Sequence, residues 1–306
     1  MKPIQLPIST LKSEVPNQIL AYLQLMRPAN IVTAWADILA GLAIAGTLFE
    51  DFTTLTWLIL ATTGLYGGGI VFNDVFDAKL DAVERPERPI PSARASFKAA
   101  IILGVFLLFL GILAATQVSF LSAILAVFVA VSALVYDAWS KHHPVIGPLN
   151  MGICRGGNLL LGMSAVASTV TEQWYLALIP IVYIAAVTTI SRGEVAGGKQ
   201  ETGILALGLL AVVLGSLLVL DLTPDYRLLA MLPFWVFFAA RILPPWTQAM
   251  KTPDPNNIRQ AVKIGVLSLI VLNATMGAGF AGGIAGLLIL ALLPLSKGLA
   301  QLFTVT

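Results

Sequence analysis

An all-α bundle that crosses a membrane many times is the fold this 306-residue chain predicts, and three observations predict it. Hydrophobic residues make up 58% and charged residues only 11%, with a mean hydropathy of +0.88; in a soluble globular domain about a quarter of residues are charged. Apolar runs of spanning length, about 17 to 25 residues, recur along the whole chain. Lys and Arg gather on alternate connections between those runs, the pattern of cytoplasmic loops. No Rossmann glycine pattern, nucleic-acid motif, soluble insertion or low-complexity tail interrupts them, so residues 1–306 read as one domain.

The first run, Ile31–Phe49, follows a segment carrying Lys2, Lys12 and Arg27. The second, Leu55–Phe72, leads into a loop with Lys79, Arg85, Arg88, Arg94 and Lys98. Ala99–Thr116 and Phe120–Tyr136 are the third and fourth, and Lys141 comes after them. Val145–Val170 and Trp174–Ile190 are the fifth and sixth, followed by Arg192 and Lys199. Ile204–Leu222 and Leu228–Leu243 are the seventh and eighth; Arg241, Lys251, Arg259 and Lys263 lie at or beyond the end of the eighth, and Val262–Phe280 is the ninth. Fifteen of the eighteen basic residues thus share one side, which places the N-terminus and the loop after the second run in the cytoplasm. Ile284–Leu295 is a short tenth span or an interfacial helix, so the count is nine, or ten if it crosses. Met1–Asn17 is polar and proline-bearing, unlike a cleavable signal, so the first apolar run directs insertion into the cytoplasmic membrane. The lone cysteine, Cys154, allows no disulfide framework. Six tryptophans fall mostly near run ends, as interfacial anchors do.

The chemistry is concentrated in Asn73–Asp81, N-D-V-F-D-A-K-L-D. In a helix, Asp74, Asp77 and Asp81 share one face at i, i+3, i+7, and like charges so placed repel. A hard cation over them relieves the repulsion, and Mg2+ is the default because it binds a few carboxylates together with substrate phosphates. The motif therefore points to a diphosphate substrate at the cytoplasmic face. Arg85, Arg88 and Arg94 follow in a proline-broken stretch, and arginine forks suit phosphate oxygens; lipid headgroups are the plainer destination for each. Gly67, Gly68 and Gly69 serve close packing or close approach to a ligand. Two charges fall inside runs, Asp37 and Arg155, where ionisable groups pair or face a cavity: they pair with each other, or Arg155 faces a substrate headgroup. Asp137 is an acceptor-binding group or a solvated helix end. His142 and His143 are adjacent, a poor metal geometry.

The run from Asn73 to Ser96 resembles the first aspartate-rich motif and following loop of the UbiA superfamily of intramembrane prenyltransferases. Arg85, Arg88, Pro89 and Ser92 match its R-x-x-R-P-x-x-S, and Arg27, Pro28 and Asn30 match an R-P-x-N entry to the first helix. The likeness continues through Tyr136, Lys141, Gly147 and Asn150, and the strings Asn150–Gly162 and Ser191–Glu194 look like the UbiA-like EboC branch. The resemblance implies a UbiA-like bundle and Mg2+-dependent ionisation of an allylic prenyl diphosphate, with transfer to a small-molecule or lipid acceptor in the bilayer. It implies Asn73, Asp74, Asp77 and Asp81 as the metal set, with Asp77, Asp81 and Arg85 catalytic. Asn30, Arg88, Arg94, Lys141, Arg155, Arg192, Glu194 and Lys199 are its substrate-binding candidates. The chain departs from the family at the second acidic motif, where Ser191 and Gly198 replace acids and Glu194 alone remains. Arg192 or Lys199 is the expected substitute charge. Two other readings stand beside the enzyme: a degenerate member that binds a prenyl lipid without chemistry, and a secondary transporter.

Overall fold

Helices form where the apolar runs lie, and turn chemistry sets their ends. The computed structural model describes residues 17–223 and 226–303, with no strand among them. The helices are α1 (Asn17–Met26), α2 (Pro28–Ile44), α3 (Phe52–Phe76), α4 (Ala78–Glu84), α5 (Phe97–Thr116), α6 (Phe120–Ala138) and α7 (Ile146–Met163). They continue as α8 (Ala167–Gln173), α9 (Leu178–Ser191), α10 (Gln200–Val219), α11 (Leu228–Lys251), α12 (Pro255–Ala281), α13 (Gly283–Leu290) and α14 (Leu292–Leu302). Asp51 starts α3 by accepting the Thr53 and Thr54 amides, both at 3.0 Å. Asp254 does the same for α12 through Asn256 and Asn257, with Pro255 at the first helical position.

Eight stretches are long and apolar enough to cross a membrane. One of them is 283–302, so the short tenth run is spanning in length once α14 is added to it. α2, at 17 residues, and α7, at 18, are the two further bundle helices, and they carry the intramembrane charges Asp37 and Arg155. The fifth run was expected to continue to Val170. Its helix instead stops at Met163, and residues from Ala167 begin the next crossing, which runs through a tight turn at Trp174–Ala177 into α9. Trp246 is not an anchor at a surface: it is fully buried and donates to the Ala261 carbonyl at 3.1 Å. The N-terminal expectations for Met1–Pro16 lie outside the described residues.

α2 and α12 form the centre, with α7 against α2. Their approach depends on glycine: a Cβ on Gly41 of α2 would lie 2.6 Å from the Gly162 Cα of α7. Asp37, fully buried on α2, is the polar hub at this crossing. It accepts from Arg155 at 2.7 Å, Asn158 at 2.9 Å and Asn273 at 2.7 Å, tying α2, α7 and α12 together. Asn158 also accepts from Thr62 of α3 at 2.8 Å. The paired reading of Asp37 and Arg155 is the one the fold realises. Arg155 in addition donates to Thr33 and Tyr66 and lies over the Tyr66 ring, 4.4 Å from its centre.

Candidate active site

The end of α3 builds the site. The helix is interrupted at Asp77, which caps α3 and precedes α4, so the aspartates do not share one uninterrupted helical face. Each is matched to a cation from another segment. Asp77 pairs with Lys141 at 2.5 Å, and Asp81 pairs with Arg88 at 2.6 Å. Asp74 pairs with Arg27 at 2.5 Å and Arg88 at 3.4 Å. Arg27 can reach it because its backbone takes the left-handed conformation, φ 46°, just before Pro28 starts α2. Asn73 gives its amide nitrogen to Asp137 at 2.8 Å, which leaves the Asn73 side-chain oxygen as the remaining acceptor. Asp137 is buried, not a solvated helix end.

These groups open on two adjoining cavities. The larger, about 540 Å3, is walled by Asn73, Asp77, Asp81, Arg85, Arg88, Lys141, Arg155, Ser191 and Glu194 among others. The smaller, about 220 Å3, is mostly apolar, with Leu65, Gly69, Ile70, Val129, Ala133 and Cys154 in its wall and Asp137 at one side. Asn30, Tyr66, Asn73, Tyr136 and Met151 border both. The Asn30 side-chain oxygen is buried without a donor among the described residues.

Several candidates stand elsewhere than expected. Asp74 is not a wall of the larger cavity, and its carboxylate pairs with Arg27 and Arg88. Arg94 binds Gln24, Ser92 and the Glu87 carbonyl in the exposed loop. Arg192 donates to the His143 carbonyl at 2.6 Å, and Lys199 is exposed at the start of α10; neither borders the cavity. Gly198 donates its amide to the Pro253 carbonyl and packs on Ile258, so the position aligned with a lost acid is not at the cavity either. Ser191 and Glu194 do border it. Burial raises the Glu194 carboxyl above its ordinary value, and Arg85 and Arg259 partly oppose the shift. Arg27 and Arg259 were not among the site candidates from sequence, although Arg27 was legible as the first residue of the R-P-x-N motif.

Among the described residues no group of three or more His, Cys, Asp or Glu side chains could by itself hold a metal ion. The oxygen donors at the cavity fit Mg2+ in a different way. Asn73, Asp77 and Asp81 offer one amide and two carboxylates, all hard ligands, and Mg2+ is commonly bound through one or two carboxylates with the remainder supplied by substrate phosphates and water.

Among the described residues, helices of membrane-spanning length and a polar cavity lined by paired acids and bases mark an integral membrane protein with an internal charged site. The chain belongs to the UbiA prenyltransferase family, whose model matches residues 34–262. A digeranylgeranylglyceryl phosphate synthase of Methanothrix thermoacetophila is 35% identical over 187 residues, covering 61% of this chain and 67% of its own. Its counterpart in Ignicoccus hospitalis is 32% identical over 225 residues, covering 72% and 70%. Among solved structures, a UbiA homologue from Aeropyrum pernix K1 superposes with a TM-score of 0.69 at 15% identity, covering 80% of this chain and 96% of its own. A UbiA homologue from Archaeoglobus fulgidus bound to DMAPP and Mg2+ superposes with 0.60 at 13% identity, covering 83% and 98%. At such identities these two structures speak to the fold alone.

Proposed function

We propose that this chain transfers a prenyl group from an allylic prenyl diphosphate to an acceptor, with Mg2+ as cofactor. The observation that carries the reading is the junction of a polar cavity, where cations face Asp77 and Asp81, with an apolar chamber bordered by the same Asn73. A diphosphate suits the first and the start of an isoprenoid tail the second. Lys141, Arg85 and Arg88 neutralise diphosphate oxygens. Asn73, Asp77 and Asp81 hold Mg2+, which when bound supplies Lewis-acid charge that favours diphosphate departure. The allylic C–O bond breaks with its electron pair on pyrophosphate, the acceptor forms its new bond to the same carbon, and the acceptor's displaced proton passes to the released pyrophosphate. The apolar walls of the chamber keep water from that carbon. Membership of the prenyltransferase family supports the donor class, and the relatives' names support a phosphate-bearing glyceryl acceptor.

A second reading, lipid binding without turnover, is favoured by Ser191 and Gly198 in place of acids. Purified full-length protein given Mg2+ and allylic diphosphates of five to twenty carbons separates the two. Pyrophosphate release that is lost in Asp77→Ala is the expected result. Donor binding with no pyrophosphate from any chain length would leave the second reading standing.

A further inference from the structure

A third cavity, about 580 Å3, lies beside the first and shares Glu84, Arg85, Arg88 and Glu194 with it. It sits between the loop after α4 and the turn after α9, at the mouth of the site. We propose that it is a second anion site, which holds the phosphoryl group of the acceptor apart from the donor diphosphate.

The argument rests on how the arginines around it are used. Arg88 is committed to Asp81 and Asp74. Arg85, Arg94 and Arg259 have no carboxylate within ion-pairing distance among the described residues, although every aspartate at the first cavity has a cation. Arg94 uses all three of its nitrogens on neutral acceptors, so it contributes fixed positive charge and not a free fork. Arg259 uses only Nε, on the Glu194 carbonyl at 3.1 Å, which holds the side chain against the cavity and leaves both terminal nitrogens to donate. Arg85 has no side-chain partner among the described residues and borders both cavities. Arg259, anchored through a neutral bond with both terminal nitrogens open, is the phosphate ligand; the fixed charge of Arg94 reinforces it, and Arg85 stands between this anion and the donor diphosphate. Glu84 and Glu87 on the same wall are exposed, where solvent screens them. The third cavity adjoins the donor cavity through Arg85, so a glyceryl group anchored by its phosphate there has a path for its hydroxyl toward the reacting carbon.

The identity of the ligand as acceptor rests on the prenyl-transfer reading; the anion site itself does not. Binding of glycerol 1-phosphate, glycerol, inorganic phosphate and pyrophosphate to the full-length protein tests it, with Arg259→Gln and Arg259→Lys beside the native chain. Glycerol 1-phosphate should bind at least about tenfold more tightly than glycerol. Arg259→Gln should lose about tenfold, the lower end for a charge-assisted contact on an exposed side chain, and Arg259→Lys should retain part of it. In turnover with a prenylglyceryl phosphate, Arg259→Gln should raise the acceptor KM about tenfold and leave the donor KM in place. Equal binding of glycerol and its phosphate, or glycerol 1-phosphate affinity unchanged in Arg259→Gln, overturns the site. A rise in donor KM alone, or loss of pyrophosphate affinity alone, overturns its assignment to the acceptor. Arg259-dependent binding in a protein that cleaves no diphosphate sinks the prenyl-transfer reading and leaves the anion site; normal cleavage with Arg259-independent binding does the reverse.

Discussion

Replacing Asp37 with leucine should be among the most damaging single changes in the membrane core. The carboxylate is fully buried and receives three donors, from Arg155, Asn158 and Asn273, at 2.7 to 2.9 Å. Its loss strands a guanidinium that is itself buried, and breaking a buried pair from one side costs about 3–5 kcal/mol. At about 1.4 kcal/mol per tenfold, that lowers the folding equilibrium by roughly two to nearly four orders of magnitude. The double replacement Asp37→Leu with Arg155→Met removes both charges and should recover about 2 kcal/mol or more. It will not recover everything, because Asn158 and Asn273 lose their shared acceptor in both variants. Reversible unfolding of the purified chain in mixed detergent micelles, arranged as a double-mutant cycle, measures these terms. If Asp37→Leu costs no more than about 0.6 kcal/mol, the average for polar contacts between membrane helices, the hub is an ordinary hydrogen bond and the reasoning is refuted. A double variant no better than the single would refute it as well.

Asp74 and Asp77 should separate by readout. Asp77→Ala should abolish pyrophosphate release and weaken Mg2+ binding, whereas Asp74→Ala should leave Mg2+ affinity within a few-fold; each strands a cation, Lys141 or Arg27, and should lower stability by about 1–3 kcal/mol, as calorimetry and thermal unfolding can check. Glu194 gives a pH test with a definite sign. Its carboxyl is raised above 4.5 chiefly by burial, so between that value and its folded value the native state holds more protons than the unfolded one, and stability falls as pH rises through this window. Glu194→Gln should therefore melt at a higher temperature than the native chain near neutral pH, with the gap closing toward pH 4.5; a gap independent of pH would contradict the assignment. At the α2–α7 crossing, Gly162→Ala should cost about 1–3 kcal/mol by overpacking, since its Cβ would meet the Ile38 carbonyl at 2.7 Å; denaturation at native-like affinity would count against it.

Much of the bundle was legible because a membrane span needs a minimum apolar length and its ends carry sided charge. For Asp37 and Arg155 the sequence left pairing and a cavity-facing arginine open, since an ionisable group in lipid needs one or the other, and Arg155 both pairs with Asp37 and borders the larger cavity. The boundary between α7 and α8 was not legible, because residues 164–170 are small and uncharged, with neither glycine nor proline to mark a turn. The displacement of Asp74 was hidden for another reason: it depends on Arg27 adopting a left-handed backbone 47 residues away. Arg192 caps the end of α9 and Glu194 lies in the turn beyond it, so helical spacing does not govern their directions. Ser191 and Glu194 border the cavity while Arg192 donates to the His143 carbonyl, an arrangement set by that turn and not by any spacing in the sequence. Arg259 was visible only as one basic residue among four near α11 and α12, and nothing local distinguishes it.

The charge around the larger cavity argues for one Mg2+ per diphosphate. Arg27, Arg88, Lys141 and Arg155 are balanced by Asp74, Asp81, Asp77 and Asp37. Arg85 is the cavity cation without a carboxylate partner among the described residues. A prenyl diphosphate brings a charge of about −3 at neutral pH, given a last ionisation near 6. One divalent ion and Arg85 together supply +3, the exposed Glu84 on the same wall being screened by solvent. A second ion would need added carboxylates, and the second acidic motif offers only Glu194, whose charged form burial disfavours. Titration of Mg2+ into the protein with a non-hydrolysable prenyl diphosphate should therefore saturate at one ion per chain. Arg85→Gln should weaken binding of the diphosphate–Mg2+ pair about tenfold or more, as loss of a charge-assisted contact does. Two ions per chain in the native protein would show that the lost acids are replaced by ligands from the substrate or solvent, and the balance drawn here between fixed and mobile cations would be wrong.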